Sequence, residues 1–259
     1  MNTDDHTATA EHQELTDAVL AARLATGAGD LLVRVRAELG FDDPAVLRDA
    51  GDARSQEWLA GALARHRRHD AVLSEEAVDD PARLTARRVW IIDPLDGTRE
   101  FGEQGRLDWA VHVALWEDGD LVVGAVALPA QGVTLATGAP LPDRPTPVGG
   151  PRLVASRTRA PAVVGAVAAA LGGSVVPVGS AGAKVAAVVR GDADAYLHAG
   201  GQYEWDSAAP VAVARAAGLH ASRLDGSPLV YNRPDPLLPD LLVCRPDLAG
   251  PILALIRDP

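Results

Sequence analysis

Apolar residues recur at helical spacing from residue 11 to residue 38 (Leu15, Val19, Ala22, Ala25, then Leu31, Leu32 and Val35), which predicts a long helix. Gly27 and Gly29 would bend it or let a neighbour pack closely. A second helix is expected over residues 52–68, with Trp58, Leu59, Leu63 and Ala64 inward. Short apolar runs over 71–73 and 89–92 read as strands, each ending in acidic residues. Residues 109–116 alternate apolar with other side chains, and 121–128 form a further apolar run. Glu117-Asp118-Gly119-Asp120 between them predicts a hairpin turn.

A Pro- and Gly-rich stretch over 137–151 (TGAPLPDRPTPVGGP) is the best internal boundary. Beyond it, strand patterns at 152–155, 175–178 and 194–198 alternate with helical ones at 160–171, 182–189 and 206–217. Strands near 220–223 and 241–244 and a helix near 248–256 complete the chain. This order predicts a disordered tail over 1–10 and an α+β half over 11–140. A linker over 141–150 would then lead to an α/β half over 151–259.

Composition narrows the picture. Of 259 residues, 47% are hydrophobic but only 4% aromatic, so Val, Leu and Ala must fill a sizeable core. A formal net charge of −11 argues against binding a nucleic-acid polymer, which needs clustered Lys and Arg. The same charge opposes any phosphorylated ligand unless divalent cations intervene. The single cysteine, Cys244, excludes an internal disulfide and a cysteine zinc site, and points to a reducing, cytoplasmic setting. The polar, acidic N-terminus lacks the pattern of a signal peptide. The longest apolar stretch, 160–172, is too short to span a bilayer and reads as a buried helix, so no membrane association is expected.

Three segments place acids at the ends of regular elements. Asp93-Pro94-Leu95-Asp96-Gly97-Thr98 follows the apolar run Val89-Trp90-Ile91-Ile92, so Asp93 should end a buried strand that Pro94 stops. Asp96 is close enough for the two carboxylates to share a cation, and oxygen ligands suit Mg²⁺. Gly97 and Thr98 offer backbone N–H groups to a phosphate. Asp-Pro and Asp-Gly are also ordinary turn dipeptides. The aspartyl-phosphate signature DxDxT does not fit, because two residues separate the acids. Ser74-Glu75-Glu76 stands at the end of another run and is equally compatible with a solvated loop. In Trp205-Asp206-Ser207-Ala208-Ala209-Pro210, Asp206 reads as a helix N-cap or as a metal ligand. Arg157, in Ser156-Arg157-Thr158-Arg159, is an anion candidate whose alternative is charge flanking a helix cap.

Together with Asp52, these motifs in this order resemble the Li⁺-sensitive, Mg²⁺-dependent phosphatases, the superfamily of inositol monophosphatase and fructose-1,6-bisphosphatase. Gly97-Thr98-Arg99-Glu100-Phe101 is similar to the DGT-[KR]-EF run of its CysQ-type 3′(2′),5′-bisphosphate nucleotidases. The resemblance implies an αβαβα layered sandwich, two to three Mg²⁺ ions and in-line attack by metal-activated water. A small phosphorylated substrate is implied, and a homodimer is compatible. The implied metal ligands are Glu75, Asp93, the Leu95 carbonyl, Asp96 and Asp206. Asp52, Thr98 and Glu75 are the implied catalytic residues. Gly97, Thr98, Gly179, Ser180, Lys184 (one of very few lysines), Arg157 and Tyr203 are the implied substrate contacts. The implied reaction is removal of the 3′-phosphate from adenosine 3′,5′-bisphosphate in sulfur assimilation, extending to its 5′-phosphosulfate. Inositol-1-phosphate or fructose-1,6-bisphosphate hydrolysis, or a non-catalytic nucleotide sensor, are the alternatives. Two departures stand out: Pro210 replaces the usual Gly of WDxxAG, and the segment from Gly200 to Glu204 differs in length from the inositol enzymes.

Overall fold

The computed structural model describes residues 15–145 and 148–257, so the expected tail over 1–10 lies outside the described residues. Helix α1 (Asp17–Leu39) begins where the Thr16 hydroxyl caps the Val19 amide, later than the apolar periodicity predicts. Its buried face is Leu20, Leu24, Ala28, Leu32 and Val35. Helix α2 (Pro44–His66) begins well before residue 52. Asp43 accepts from the Ala45 and Val46 amides, and Pro44 has its φ preset for the first turn. Asp52 therefore sits inside a helix rather than at its start.

Five strands follow: β1 (Ala71–Ser74), β2 (Arg88–Asp96), β3 (Ala110–Glu117), β4 (Asp120–Leu128) and β5 (Val133–Ala136). They form one sheet in the order β1-β2-β3-β4-β5, with β1 parallel to β2 and the remaining pairs antiparallel. The predicted hairpin turn joins β3 to β4, with Asp118 and Gly119 both at positive φ. One helical turn, α3 (Thr98–Phe101), follows β2 directly.

The second sheet contains β6 (Arg152–Ser156), β7 (Ser174–Val178), β8 (Ala195–Tyr203), β9 (His220–Ser222) and β10 (Leu237–Cys244), in the order β7-β6-β8-β10-β9. Helices α4 (Ala162–Ala170), α5 (Ala181–Arg190), α6 (Glu204–Ala216) and α7 (Pro246–Arg257) connect and cover it. Helix α4 is not the buried helix expected over 160–172: only Val164, Val167 and Ala168 are fully inside, Val163 is half-buried, and the rest is exposed.

Alternation along β2 explains the layering. Trp90 and Ile92 point to α1 and α2, whereas Val89 and Ile91 point to the opposite face, where α5 and α6 pack. These two Ala- and Val-rich helices fill the space between the sheets with Ala183, Val188, Ala208 and Val213. Small side chains let the layers approach, which suits a chain poor in aromatics. The outer face of the second sheet buries Leu153, Leu197 and Leu242 against α4 and α7. The result is the αβαβα layered sandwich. No helix among the described residues is long and apolar enough to cross a membrane.

Candidate active site

Strand β2 does not stop at Pro94. Asp93 pairs with His112 and Asp96 with Ala110, so the ladder bulges over Pro94 and Leu95 and resumes. Proline lacks the amide that the ladder would need, and the bulge turns both carboxylates to the same side. The turn is pinned locally. Ser55 on α2 donates to the Pro94 carbonyl at 2.7 Å, the Leu95 amide donates to Asp93 Oδ1 at 3.0 Å, and Thr98 Oγ1 donates to the Leu95 carbonyl at 3.1 Å.

Asp93, Asp96 and Asp206 each offer an oxygen within 4.8 Å of the others. Asp96 also receives the first turn of α5: Ala181 N–H reaches Oδ1 at 3.1 Å and Gly182 N–H reaches Oδ2 at 2.6 Å. Asp206 is not the N-cap of α6. It is the third residue of the first turn, where its Oδ2 accepts the Tyr203 amide at 2.7 Å in a capping box. Pro210 leaves α6 continuous from Glu204 to Ala216. Glu75, in the turn after β1, is hydrogen-bonded to Asp93 and so joins the same group.

Electrostatics marks this cluster as a place that calls for a cation. Burial, then the charges of Glu75 and Asp96, push the Asp93 carboxyl well above its usual range. Burial and Asp206 likewise raise Glu75. Asp206 is raised to about 6 by burial and by Asp96. Crowded oxygen donors with no thiolate among them fit a hard divalent ion, which would relieve the mutual repulsion. The acidic cluster is thus able to hold a metal ion.

One residue of this site was not singled out from the sequence. His112 on β3 is fully buried, with Nδ1 3.0 Å from the Trp205 carbonyl and Nε2 3.1 Å from Asp96 Oδ2. Burial alone would push its imidazole down, but Asp96 outweighs that and lifts it above the ordinary value. Both ring nitrogens face acceptors, which favours the doubly protonated ring. Asp96 is correspondingly lowered: burial opposes its charge, and His112 overcomes the opposition. The signal in the sequence was a lone ionisable group within Ala110-Val111-His112-Val113-Ala114. Close approach is enforced at Gly182, where a Cβ would fall 2.1 Å from His112 Nε2.

The cluster opens into a cleft of about 540 Å³. Glu75, Asp96, Gly97, Thr98, Gly179, Ser180, Lys184, Tyr203 and Asp206 all line it. Gly97 is required by its φ of 84° and by Ser180, whose Cβ would lie 2.8 Å from a Cβ added at Gly97. Asp52 lies on α2 beside Thr98 and is hydrogen-bonded to it. Burial, with Glu76 and Asp49 nearby, raises its carboxyl to about 7.

The remaining expected substrate contacts have partners within the protein. Arg157 is absent from the cleft lining and donates to Glu100 at 2.9 Å and Glu103 at 2.8 Å. The amide of Gly179 donates to Asp108 Oδ2 at 2.6 Å, and that of Ser180 to the Asp108 carbonyl at 3.1 Å. Ser180 Oγ caps α5 through Ala183 N–H at 2.9 Å, so these residues form part of the cleft wall. Lys184, the chain's single lysine, is buried, donates from Nζ to the Gly179 carbonyl and lies 5.3 Å from the Tyr196 ring centroid. Tyr203 is 46% exposed and stacks on Trp205 with centroids 4.7 Å apart.

Comparison with known proteins places this geometry. The family model described as "Inositol monophosphatase family" matches residues 12–141 and 146–257. A Mycobacterium leprae protein named 3′-phosphoadenosine 5′-phosphate phosphatase is 54% identical, over 95% of this chain and 95% of that protein. The 3′(2′),5′-bisphosphate nucleotidase CysQ of Escherichia coli K12 is 32% identical over 62% of this chain and 70% of its own length. Among solved structures, inositol monophosphatase II of Staphylococcus aureus MSSA476 matches the fold with a TM-score of 0.76, covering 92% of this chain and 96% of that one at 21% identity. The buried carboxylate cluster, the layered fold and these matches along nearly the whole chain agree: the protein belongs to the inositol monophosphatase family.

Proposed function

We propose that this protein is a Mg²⁺-dependent phosphomonoesterase that removes the 3′-phosphate of adenosine 3′,5′-bisphosphate. The observation that carries the chemistry is the convergence of Asp93, Asp96 and Asp206, with Glu75 hydrogen-bonded to Asp93, at the floor of a cleft. The name of the M. leprae relative, at 54% identity over 95% of both chains, supports the substrate.

Glu75, Asp93, the Leu95 carbonyl, Asp96 and Asp206 would hold the ions. Bound Mg²⁺ supplies Lewis-acid charge that makes water a better nucleophile and the departing 3′-oxygen a better leaving group. The protein's own groups do the rest. Gly97 caps and Thr98 begins the single turn of α3, where amides have no intrahelical acceptor and can receive phosphoryl oxygens. The Thr98 hydroxyl bridges the Leu95 carbonyl and Asp52, so it can orient the attacking water. Asp52, with its carboxyl near 7, is poised to accept that water's proton. His112 holds Asp96 from behind and keeps its charge directed into the site. Tyr203, backed by Trp205, presents an aromatic face to the base. The reaction needs no covalent intermediate.

Phosphate release from adenosine 3′,5′-bisphosphate tests this reading. Release should require Mg²⁺, stop on chelation, and fall by at least ~100-fold in Asp93→Asn, because that carboxylate touches both Glu75 and the shared cluster. Undiminished turnover in chelator, or in Asp93→Asn, would refute it.

A further inference from the structure

We propose that a second cavity, beside the Gly179–Ser180 wall, binds a small zwitterion: an α-amino acid with an apolar side chain. The cavity shares no lining residue with the active-site cleft, so the inference goes beyond the reaction proposed above and does not depend on it.

This cavity has a volume of about 420 Å³. Its floor is apolar: Val154 and Val176 are paired across β6 and β7, and Ala183 and Ala187 stand one turn apart on α5. Its rim carries two ion pairs, Arg106 with Asp108 and Arg190 with Asp192. Both pairs are partly open to solvent, and such pairs contribute little to stability, so their groups can be shared with a ligand. Neither arginine is saturated. Arg106 bonds through Nη2 alone, and its Nε is buried without a partner among the described residues. Arg190 places Nε on Asp192 at 2.9 Å and Nη1 on the Gln131 side-chain oxygen at 2.7 Å, which leaves Nη2 without a bond among the described residues. Asp108 and Asp192 each accept through Oδ2, and their Oδ1 atoms have no donor among the described residues.

Charge then selects the ligand. Two guanidinium and two carboxylate groups leave the rim without net charge, which favours neither a simple anion nor a simple cation. A zwitterion satisfies both signs: its carboxylate takes the spare guanidinium N–H groups and its ammonium donates to the free carboxylate oxygens. An aliphatic side chain on it would cover the valine and alanine floor. A phosphate dianion would instead face both Asp108 and Asp192. Occupancy bears on the active site through Asp108. Its Oδ2 accepts the Gly179 amide at 2.6 Å and its carbonyl accepts the Ser180 amide at 3.1 Å. Those two residues line the cleft and lead into the α5 amides that hold Asp96. A ligand that draws Arg106 from Asp108 therefore loosens one wall of the cleft.

The test is calorimetric titration of the wild-type chain in excess Mg²⁺ with L-methionine, L-leucine, glycine, L-methionine methyl ester and N-acetyl-L-methionine. Methionine and leucine should bind with a Kd of about 1 mM or tighter. Glycine lacks the apolar body, the ester the carboxylate and the acetyl derivative the ammonium, so each should bind at least ~10-fold more weakly. Methionine should lose about as much in Arg190→Ala, a residue outside the catalytic site. Saturating methionine should also raise KM for adenosine 3′,5′-bisphosphate by about 5-fold or more in the wild type and not in Arg190→Ala. Equal binding of glycine or of either blocked derivative, undiminished binding in Arg190→Ala, or no saturable binding of either amino acid overturns the site. Dimerisation in sedimentation that Arg190→Ala disrupts, with no amino acid bound, gives this face to a second copy and overturns the site as well. Binding that leaves KM unchanged overturns the coupling through Asp108 alone. A protein that binds methionine but does not cleave the bisphosphate overturns the proposed reaction and leaves the site standing.

Discussion

At the scale of single residues, the site trades stability for chemistry. Asp52, Glu75, Asp93 and Asp206 all hold their protons more tightly in the fold than in an unfolded chain, because burial and neighbouring acids disfavour their charged forms. Raising the pH from the unfolded value of about 4 through about 6 for Asp206 and about 7 for Asp52 forces charge into that cluster and costs stability. The metal-free protein should consequently melt lower at pH 8 than at pH 5, by roughly 5 °C or more. Mg²⁺ should restore more of that loss at pH 8 than at pH 5. Thermal melts in chelator and in excess Mg²⁺ across this range check it; a melting temperature that rises with pH in chelator would contradict it. The ligand types themselves were legible in the sequence as acids at element ends. The counter-charge was not: His112 sits in an apolar strand far in sequence from Asp96, and only the β2–β3 register brings them together.

At the scale of elements, the site is held by contacts between segments that local pattern does not reveal. Arg83, in the 3₁₀ turn Pro81–Thr85, is fully buried and donates to Asp79 at 2.6 Å, to Asn232 Oδ1 at 2.8 Å and to the Arg233 carbonyl at 2.9 Å. Asn232 and Arg233 in turn donate their amides to Glu204, the first residue of α6, at 2.7 and 2.8 Å. This strap ties the segment after Glu75 to the helix that carries Asp206. Arg83→Met should cost about 3 kcal/mol, the scale for removing one member of a buried ionic group, and should weaken Mg²⁺ binding as well. Denaturant unfolding and calorimetric Mg²⁺ titration of the variant measure the two effects; wild-type values in both would show that the strap positions nothing. Element boundaries explain what the sequence reading missed. Asp43-Pro44 is a strong helix start that the apolar periodicity overrode, and β5 is only four residues long after a 3₁₀ turn. Strand β2 survives its proline because a bulge absorbs the missing amide.

At the scale of the whole molecule, the order of elements carried most of the architecture. Alternating strand and helix patterns after residue 151 were enough to expect a helix-flanked sheet joined to a more antiparallel first half, and the family resemblance supplied the layered sandwich. The expected boundary over 141–150 falls between the last strand of the first sheet and the first strand of the second. What the pattern could not show is that α5 and α6, from the second half, bury against the first sheet. That packing brings Asp206 and the α5 N-terminus onto Asp93 and Asp96, so the candidate site is a property of the assembled layers. The central claim is that this assembled site is a metal-dependent 3′-nucleotidase. The most direct measurement is kcat/KM for adenosine 3′,5′-bisphosphate, inositol 1-phosphate and fructose 1,6-bisphosphate, each with Mg²⁺ and after chelation. The account predicts that the adenosine bisphosphate is turned over with the highest kcat/KM and that chelation abolishes turnover of all three. A higher value for inositol phosphate or the sugar bisphosphate, or turnover that persists without metal, would contradict it.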